Sequence, residues 1–265
     1  MKNNSFFTVI SLLFVLFVLG SSCGPEPPPP PPPIIIPTFV TDIDGNTYRV
    51  KRFKNTLWMR DNLRVTRYDT ESSGNGNTIV EATTEQSVNI NKPYYQDIRD
   101  FNESPYTDNF TEEIRNSLGL LYNWSAAAGT VENNATVGNR VQGICPNGWY
   151  LPTSNDIDSL VCYLGDNDTV GYKLKSEYGW YTDSGSGSNE SGMNCYPAGL
   201  AAGNITVSFV GRQAMFWSST TQSGDNNRAR VLQLMYDTDD ANVTNINKFQ
   251  ASSVRCVWYV PIEEN

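Results

Sequence analysis

Two short acidic runs are the first candidates for chemistry: "GDNDT", with Asp166 and Asp168, and "DTDD", with Asp237, Asp239 and Asp240. Carboxylates at such spacing can ligate calcium through hard oxygen donors or act as the acid and base of a glycosidase. Neither run follows the EF-hand calcium loop, and acidic turn residues are ordinarily just solvated. Histidine is absent from the chain, which removes the commonest general base and the commonest metal ligand. The expectation is therefore no catalytic residue, no metal and no cofactor. Aromatic residues offer the other route. The loop "YGWYTDSGSGSNESGMNCYPAG" sets Trp180 and Tyr181 ahead of a flexible polar stretch and closes on Asn194 and Tyr196. Sugar rings and peptide side chains bury their apolar faces on exposed aromatic rings, which makes these four residues the candidate ligand contacts. Core packing is the competing use of Trp180 and Tyr181.

Cysteine is the remaining reactive type, at five positions. The chain opens "MKNNSFFTVISLLFVLFVLGSSCG", where one lysine precedes an apolar run from Phe6 to Leu19 and small residues lead to Cys23. This reads as a signal peptide over residues 1–22 with Cys23 as the lipid-attachment residue, the run being too short for an ordinary spanning helix. Setting Cys23 aside leaves Cys145, Cys162, Cys195 and Cys256, an even set in an oxidising compartment. Two disulfides follow, with three pairings open. A thiolate metal site would want a close Cys-x-x-Cys pair, which is missing.

The formal charge is -9, and loss of Lys2 with the signal moves it to -9 - 1 = -10. An acidic chain without a basic run repels phosphate backbones, so nucleic acid is not an expected partner. The expected partners are the membrane, through the lipid anchor, and an extracellular glycan or protein.

Behind these residues stand the elements that must position them. Residues 23–37 hold "GPEPPPPPPPIIIP", a proline-rich linker whose Pro25 to Pro33 would extend about 28 Å at about 3.1 Å per residue. Residues 38–261 show no second linker and no repeat, and read as one domain before a tail at 262–265. "FVTDIDGNTYRVKRFKNTLWMRDNLRV" alternates apolar and polar residues around "DGN" and "KN" turns, the pattern of successive hairpins. Asp69 to Thr111 has few periodic apolar positions and is expected on the surface. A short helix is predicted around Tyr122 to Ala128, ended by Gly129.

A second helix is clearer. Thr153 sits at an N-cap position with Asp156 three residues on, Ile157, Leu160, Val161 and Leu164 recur at helical spacing, and Gly165 closes the run. Tyr172 to Tyr259 reads as short strands, the strongest being "AMFWSST", "RARVLQLMYD" and "SSVRCVWYV". The expected class is α+β, with short twisted antiparallel strands, two short helices and long loops. "DSL" and "DTV" resemble a Bacteroides O-glycosylation acceptor pattern, with Thr169, expected in the turn after the helix, preferred over Ser159 inside it.

"DIDGNTY", "LWMRDNLRVTRY", "GLLYNWSAA", "CPNGWYLPTSNDIDSL", "GYKLKS", "NCYPAGLAAG", "FWSST" and "SVRCV" occur in the order of the Fibrobacter succinogenes major paralogous domain family, which the chain resembles from about Phe39 to Tyr259. The resemblance implies a lipoprotein of the Bacteroidetes type at the cell envelope, anchored in the outer membrane, and it names no ligand. It also implies that Trp58, Trp124, Trp149, Trp217 and Trp258, which lie in the shared motifs, are core anchors. In that family a cysteine before the "GW" and one in the final "RCV" look like a recurring pair, which implies Cys145 with Cys256 and leaves Cys162 with Cys195. "GWYLPTSNDIDSL" with the late strands further resembles the C-type-lectin-like fold of the sulfatase-modifying proteins, whose lectin pattern would instead tie Cys162 to Cys256. The carbohydrate triplets of calcium-dependent lectins are missing, and an iron site built on histidines cannot exist here. The resemblance assigns no activity; the function expected from the residues is a monomeric, non-enzymatic binding or adhesion domain, with a carboxylate-based envelope glycan hydrolase and a structural subunit of a surface assembly as the alternatives.

Overall fold

The computed structural model describes residues 35–69, 79–82, 92–129, 140–181, 185–203 and 206–261. The signal, Cys23, the linker up to Ile34 and the tail at 262–265 lie outside the described residues. Ile36–Asn265 form one compact unit.

The opening hairpins form as their turns dictate. Strands β1 (Phe39–Thr41) and β2 (Thr47–Phe53) pair antiparallel, and β2 pairs in turn with β3 (Thr56–Met59). The first turn is organised by the Asp42 carboxylate, which accepts from the Asp44 and Asn46 backbone N–H groups at 2.9 Å each and from the Tyr48 hydroxyl at 2.5 Å. Gly45, at φ +84°, supplies the left-handed residue that this turn needs. β13 (Val257–Tyr259) closes the sheet against β3, giving the order β1-β2-β3-β13.

A second sheet is a meander of β9 (Gln213–Gln222), β10 (Asp225–Met235) and β11 (Asn242–Asn247), where "AMFWSST" and "RARVLQLMYD" lie. The third sheet has six very short strands in the order β4 (Val80–Glu81), β5 (Tyr94–Asp97), β6 (Leu120–Asn123), β12 (Ala251–Ser252), β7 (Leu200–Ala201) and β8 (Val207–Ser208). Only its β4 and β5 run parallel. This sheet corrects the surface expected for Asp69 to Thr111, because Ile79, Tyr94 and Ile98 are buried and β5 pairs with β6. Strands this short carry too few residues for a period to show. "SSVRCVWYV" is not one strand either: it splits between β12 and β13.

Four helices stand among the described residues where two were expected. The chain from Glu112 holds α1 (Glu112–Leu118), capped by Thr111, and α2 (Trp124–Ala128), capped by the Asn123 side chain and ended by Gly129 in the left-handed region. Tyr122 and Asn123, expected in the helix, are the end of β6. α3 (Ser154–Leu164) forms as predicted, with a reciprocal capping box. The Thr153 hydroxyl accepts from the Asp156 N–H at 3.2 Å, and the Asp156 carboxylate accepts from the Thr153 N–H at 2.8 Å.

α4 (Asn167–Leu174) corrects the reading of Tyr172 onward as strand. Its Gly171 packs against the β10–β11 loop so closely that a Cβ there would lie 2.2 Å from the Asp240 carbonyl oxygen and 2.5 Å from that of Asp239. Helix propensity favours alanine over glycine by about 1 kcal/mol, but overpacking against backbone costs more. Gly171→Ala is accordingly expected to destabilise the domain by roughly 1–3 kcal/mol, read as a lowered thermal midpoint. A raised midpoint would show that the two segments separate freely.

Three apolar clusters fill the unit. Tyr48, Trp124, Trp149 and Trp217 lie in the first; Trp58, Ile157, Leu160, Trp180 and Phe216 in the second; Tyr94, Ile114, Leu118, Tyr196 and Val210 in the third. The indole N–H groups of Trp124 and Trp217 donate to the carbonyls of Ser218 at 3.0 Å and Tyr122 at 2.7 Å. Trp258, expected in the core, is only half-buried and packs on the first cluster from outside.

A disulfide joins Cys145 to Cys256, with Cα atoms 5.8 Å apart, tying the loop before α3 to the segment before β13. The expected Cys162–Cys195 bridge is absent, and so is the lectin-pattern Cys162–Cys256 alternative. The α3 stripe of Ile157, Leu160 and Val161 faces the second cluster, which turns Cys162 out to solvent, while Cys195 is buried inside that cluster.

Candidate functional site

The loops around Trp180 enclose a cleft of about 680 Å³. Each wall has a local cause. At the end of α4 the backbone turns at Ser176, whose hydroxyl donates to the Tyr178 carbonyl at 2.7 Å and accepts from the Trp180 indole N–H at 3.2 Å. Gly179 follows at φ +91°, where a Cβ would sit 3.2 Å from both the Tyr196 ring and the Ile114 side chain. Glycine is required there for conformation and for space.

The opposite wall is the turn from Asn189 to Asn194, both with positive φ, in which the Asn189 side-chain carbonyl accepts from the Asn194 N–H at 2.8 Å. Asparagine tolerates that region better than most residues. The buried Arg255 holds this wall from beneath, donating to the carbonyls of Met193 and Asn194. α1 supplies the third side through Glu113 and Ile114, with its cap residue Thr111.

The rings are graded in exposure. Trp180 and Tyr196 are 7 % and 8 % exposed and form the floor, whereas Tyr178 is 68 % exposed and stands at the mouth. Beneath the floor lies Lys175, fully buried, whose ammonium sits 5.4 Å from the Trp180 ring centroid and donates to the Thr238 carbonyl at 2.8 Å. Burial pulls this ammonium below its ordinary pKa, against an opposing pull from Asp239 at 3.4 Å. Two carboxylates, Glu113 and Glu177, line the cleft, and no lysine or arginine does among the described residues. Neither carboxylate takes part in an ion pair within the described residues.

Of the residues expected to contact ligand, Trp180, Asn194 and Tyr196 meet in this cleft. Tyr181 does not. Its ring packs edge-on against Tyr106, at 4.5 Å between centroids, and against Tyr236, at 5.7 Å, while its N–H donates to the Gly211 carbonyl at 2.7 Å. Tyr178, Glu177, Asn189 and the α1 residues were not anticipated from sequence. The signal for α1 was present as Thr111 before Glu112 and Glu113, with Ile114 and Leu118 one turn apart.

The acidic runs serve the framework. Asp239 pairs with Lys175, and its carbonyl accepts from the Tyr172 N–H at 3.2 Å; the Asp166 carbonyl accepts from the Thr169 N–H at 3.0 Å in the first turn of α4. Thr169 thus lies in a helix rather than in the expected turn, and is exposed. Among the described residues no group of three or more His, Cys, Asp or Glu side chains is placed to hold a metal ion. Burial raises the pKa of the Cys195 thiol, which keeps it protonated and unreactive. A second cleft, of about 700 Å³, shares Glu113 and is lined by Arg49, Arg64 and Arg99. Its arginines are occupied: Arg49 pairs with Asp61, Arg99 with Asp97, and Arg64 stacks on the Tyr48 ring at 4.9 Å.

The sequence model of the Fibrobacter succinogenes major domain matches residues 52–258. No curated protein and no solved structure matches the chain. That match begins at the end of β2 and spans β3, all four helices, both cysteines of the disulfide and every wall of the cleft. The chain belongs to the Fibrobacter succinogenes major domain family.

Proposed function

We propose that this protein is a cell-envelope lipoprotein whose single domain binds an extracellular ligand, glycan or protein, without chemical turnover. Cys23 carries the lipid, the proline-rich linker lifts the domain from the outer membrane, and no nucleic acid is bound. The architecture is of the C-type-lectin-like kind, a reading supported by the capped α3 that opens at "LPTS" and by the bridge tying its leading loop to the last sheet segment.

One observation carries the binding reading: a cleft with an aromatic floor, a free ring at its mouth and polar side chains around it. A ligand ring can stack on Tyr178 while Asn189 and Asn194 offer amide donors and acceptors beside it. Tyr178 is largely exposed, so truncating it should leave the fold unchanged. The full-length chain is expected to retain ligand on an array of glycans and extracellular proteins, and Tyr178→Ala to weaken that retention about tenfold with the thermal midpoint unmoved. No retained ligand, or equal retention by Tyr178→Ala, would refute the site. Cleavage of a retained glycan that Glu113→Gln or Glu177→Gln abolishes would establish the hydrolase instead.

A further inference from the structure

We infer that the ligand of the Trp180 cleft is a glycan bearing free amines, of the deacetylated glucosamine type. This rests on the cleft being the binding site. The cleft is lined by two carboxylates, Glu113 from α1 and Glu177 from the segment after α4, neither of which forms an ion pair among the described residues, Arg49 acting on Glu113 only at longer range. A cation in the cleft is favoured by both carboxylates, and an anion meets two like charges at the exposed lining of a chain already carrying -9. Acidic sugars are thereby disfavoured.

The rings add to the preference for a cation. Trp180 already faces the Lys175 ammonium, which leaves the open face of Tyr178 as the platform for an incoming group. Aromatic faces attract ammonium groups through the ring quadrupole. The neutral part of the lining decides between a sugar and a basic peptide. Asn109, Thr111, Ser186, Asn189 and Asn194 present amides and hydroxyls that both donate and accept, which matches the hydroxyl array of a pyranose ring better than the aliphatic stem of a lysine.

Three β-1,4-linked tetrasaccharides that differ only at C2, with hydroxyl, acetamido or ammonium groups, separate the contributions. Titrated calorimetrically into the full-length chain at low salt, the glucosamine tetramer is expected to bind about tenfold tighter than the glucose tetramer, the size of two exposed ion pairs. Glu113→Gln combined with Glu177→Gln is expected to remove that advantage, as is raising the salt until surface charges are screened. Both carboxylates are exposed, so these variants should fold.

Failure of the glucosamine tetramer to bind, or equal binding of the glucose or acetylated tetramer, would overturn the amine assignment. Tetralysine binding as tightly as the glucosamine tetramer would overturn the sugar in favour of a basic peptide. The site itself is judged separately. If Tyr178→Ala still weakens whichever tetramer binds, the cleft stands and only the ligand class falls. If neither Tyr178→Ala nor the double glutamine variant changes binding of the glucosamine tetramer, the cleft falls with it.

Discussion

Arg255→Met is expected to lower the unfolding free energy by about 3–5 kcal/mol, the combined effect of leaving unpaired the neutral acceptors that a buried guanidinium satisfies. Arg255 is 2 % exposed, and its guanidinium is used on every edge. Nε donates to the Asn62 side-chain carbonyl at 2.8 Å, the two terminal nitrogens donate to the carbonyls of Met193 and Asn194, and the plane stacks 4.8 Å from the Phe216 ring centroid. Methionine fills comparable volume but strands two buried acceptors, on Asn62 and Met193, each costing about 1–3 kcal/mol when unpaired, and a partly buried one on Asn194. Arg255→Lys keeps the charge and loses the planar fork, so it should recover only part of the loss. Urea unfolding of the three proteins decides this. A deficit under about 1 kcal/mol for Arg255→Met would mean that the site relaxes and admits water. The same side chain fixes the Asn194 wall, so ligand affinity should fall even where the variant is folded.

Loss of the Cys145–Cys256 bridge is the second large effect. The two cysteines are separated by 111 residues, a loop whose closure in the unfolded chain is entropically costly, and both are fully buried in the first cluster. Reduction, or Cys145→Ser with Cys256→Ser, is expected to cost about 2–5 kcal/mol. Denaturant midpoints with and without reductant give the figure. Peptide mapping without reduction tests the pairing, with Cys162 and Cys195 expected as free thiols. A Cys162–Cys195 linkage, or an unchanged midpoint on reduction, would contradict the structure.

How far the sequence carries can be judged from particular elements. The β1–β3 hairpins, α3 and the long strands of the meander were legible because each holds a complete local signal: a turn with its glycine, a capping box with a helical stripe, an alternating run. The six-stranded sheet was not, because strands of two to four residues are selected by their neighbours across the sheet rather than by their own period. α4 was missed because its interior glycine argues against helix, and the reason for that glycine is the β10–β11 loop more than 60 residues away.

The candidate site divides in the same way. Trp180, Asn194 and Tyr196 were visible as an aromatic and polar loop. The contribution of α1 was not, since nothing local says that Glu113 and Glu177 share a cleft. Cys162 and Cys195 show the limit of counting: parity suggested a bridge, and the helical phase of α3 forbids it.

The segment from Ala251 to Tyr259 has a consequence for when the domain can assemble. β12 sits in the middle of the six-stranded sheet, Ser253 bridges to Phe216 in the meander, Cys256 closes the disulfide, and β13 completes the hairpin sheet. All three sheets are therefore joined by the last segment of the domain in chain order. During synthesis the ribosome releases these residues after every other strand and helix described, and until then each sheet lacks a central strand, a bridge or an edge. Non-local closure of this kind makes folding slow and leaves the growing chain open. Closure of the core thus waits for this last segment of the domain.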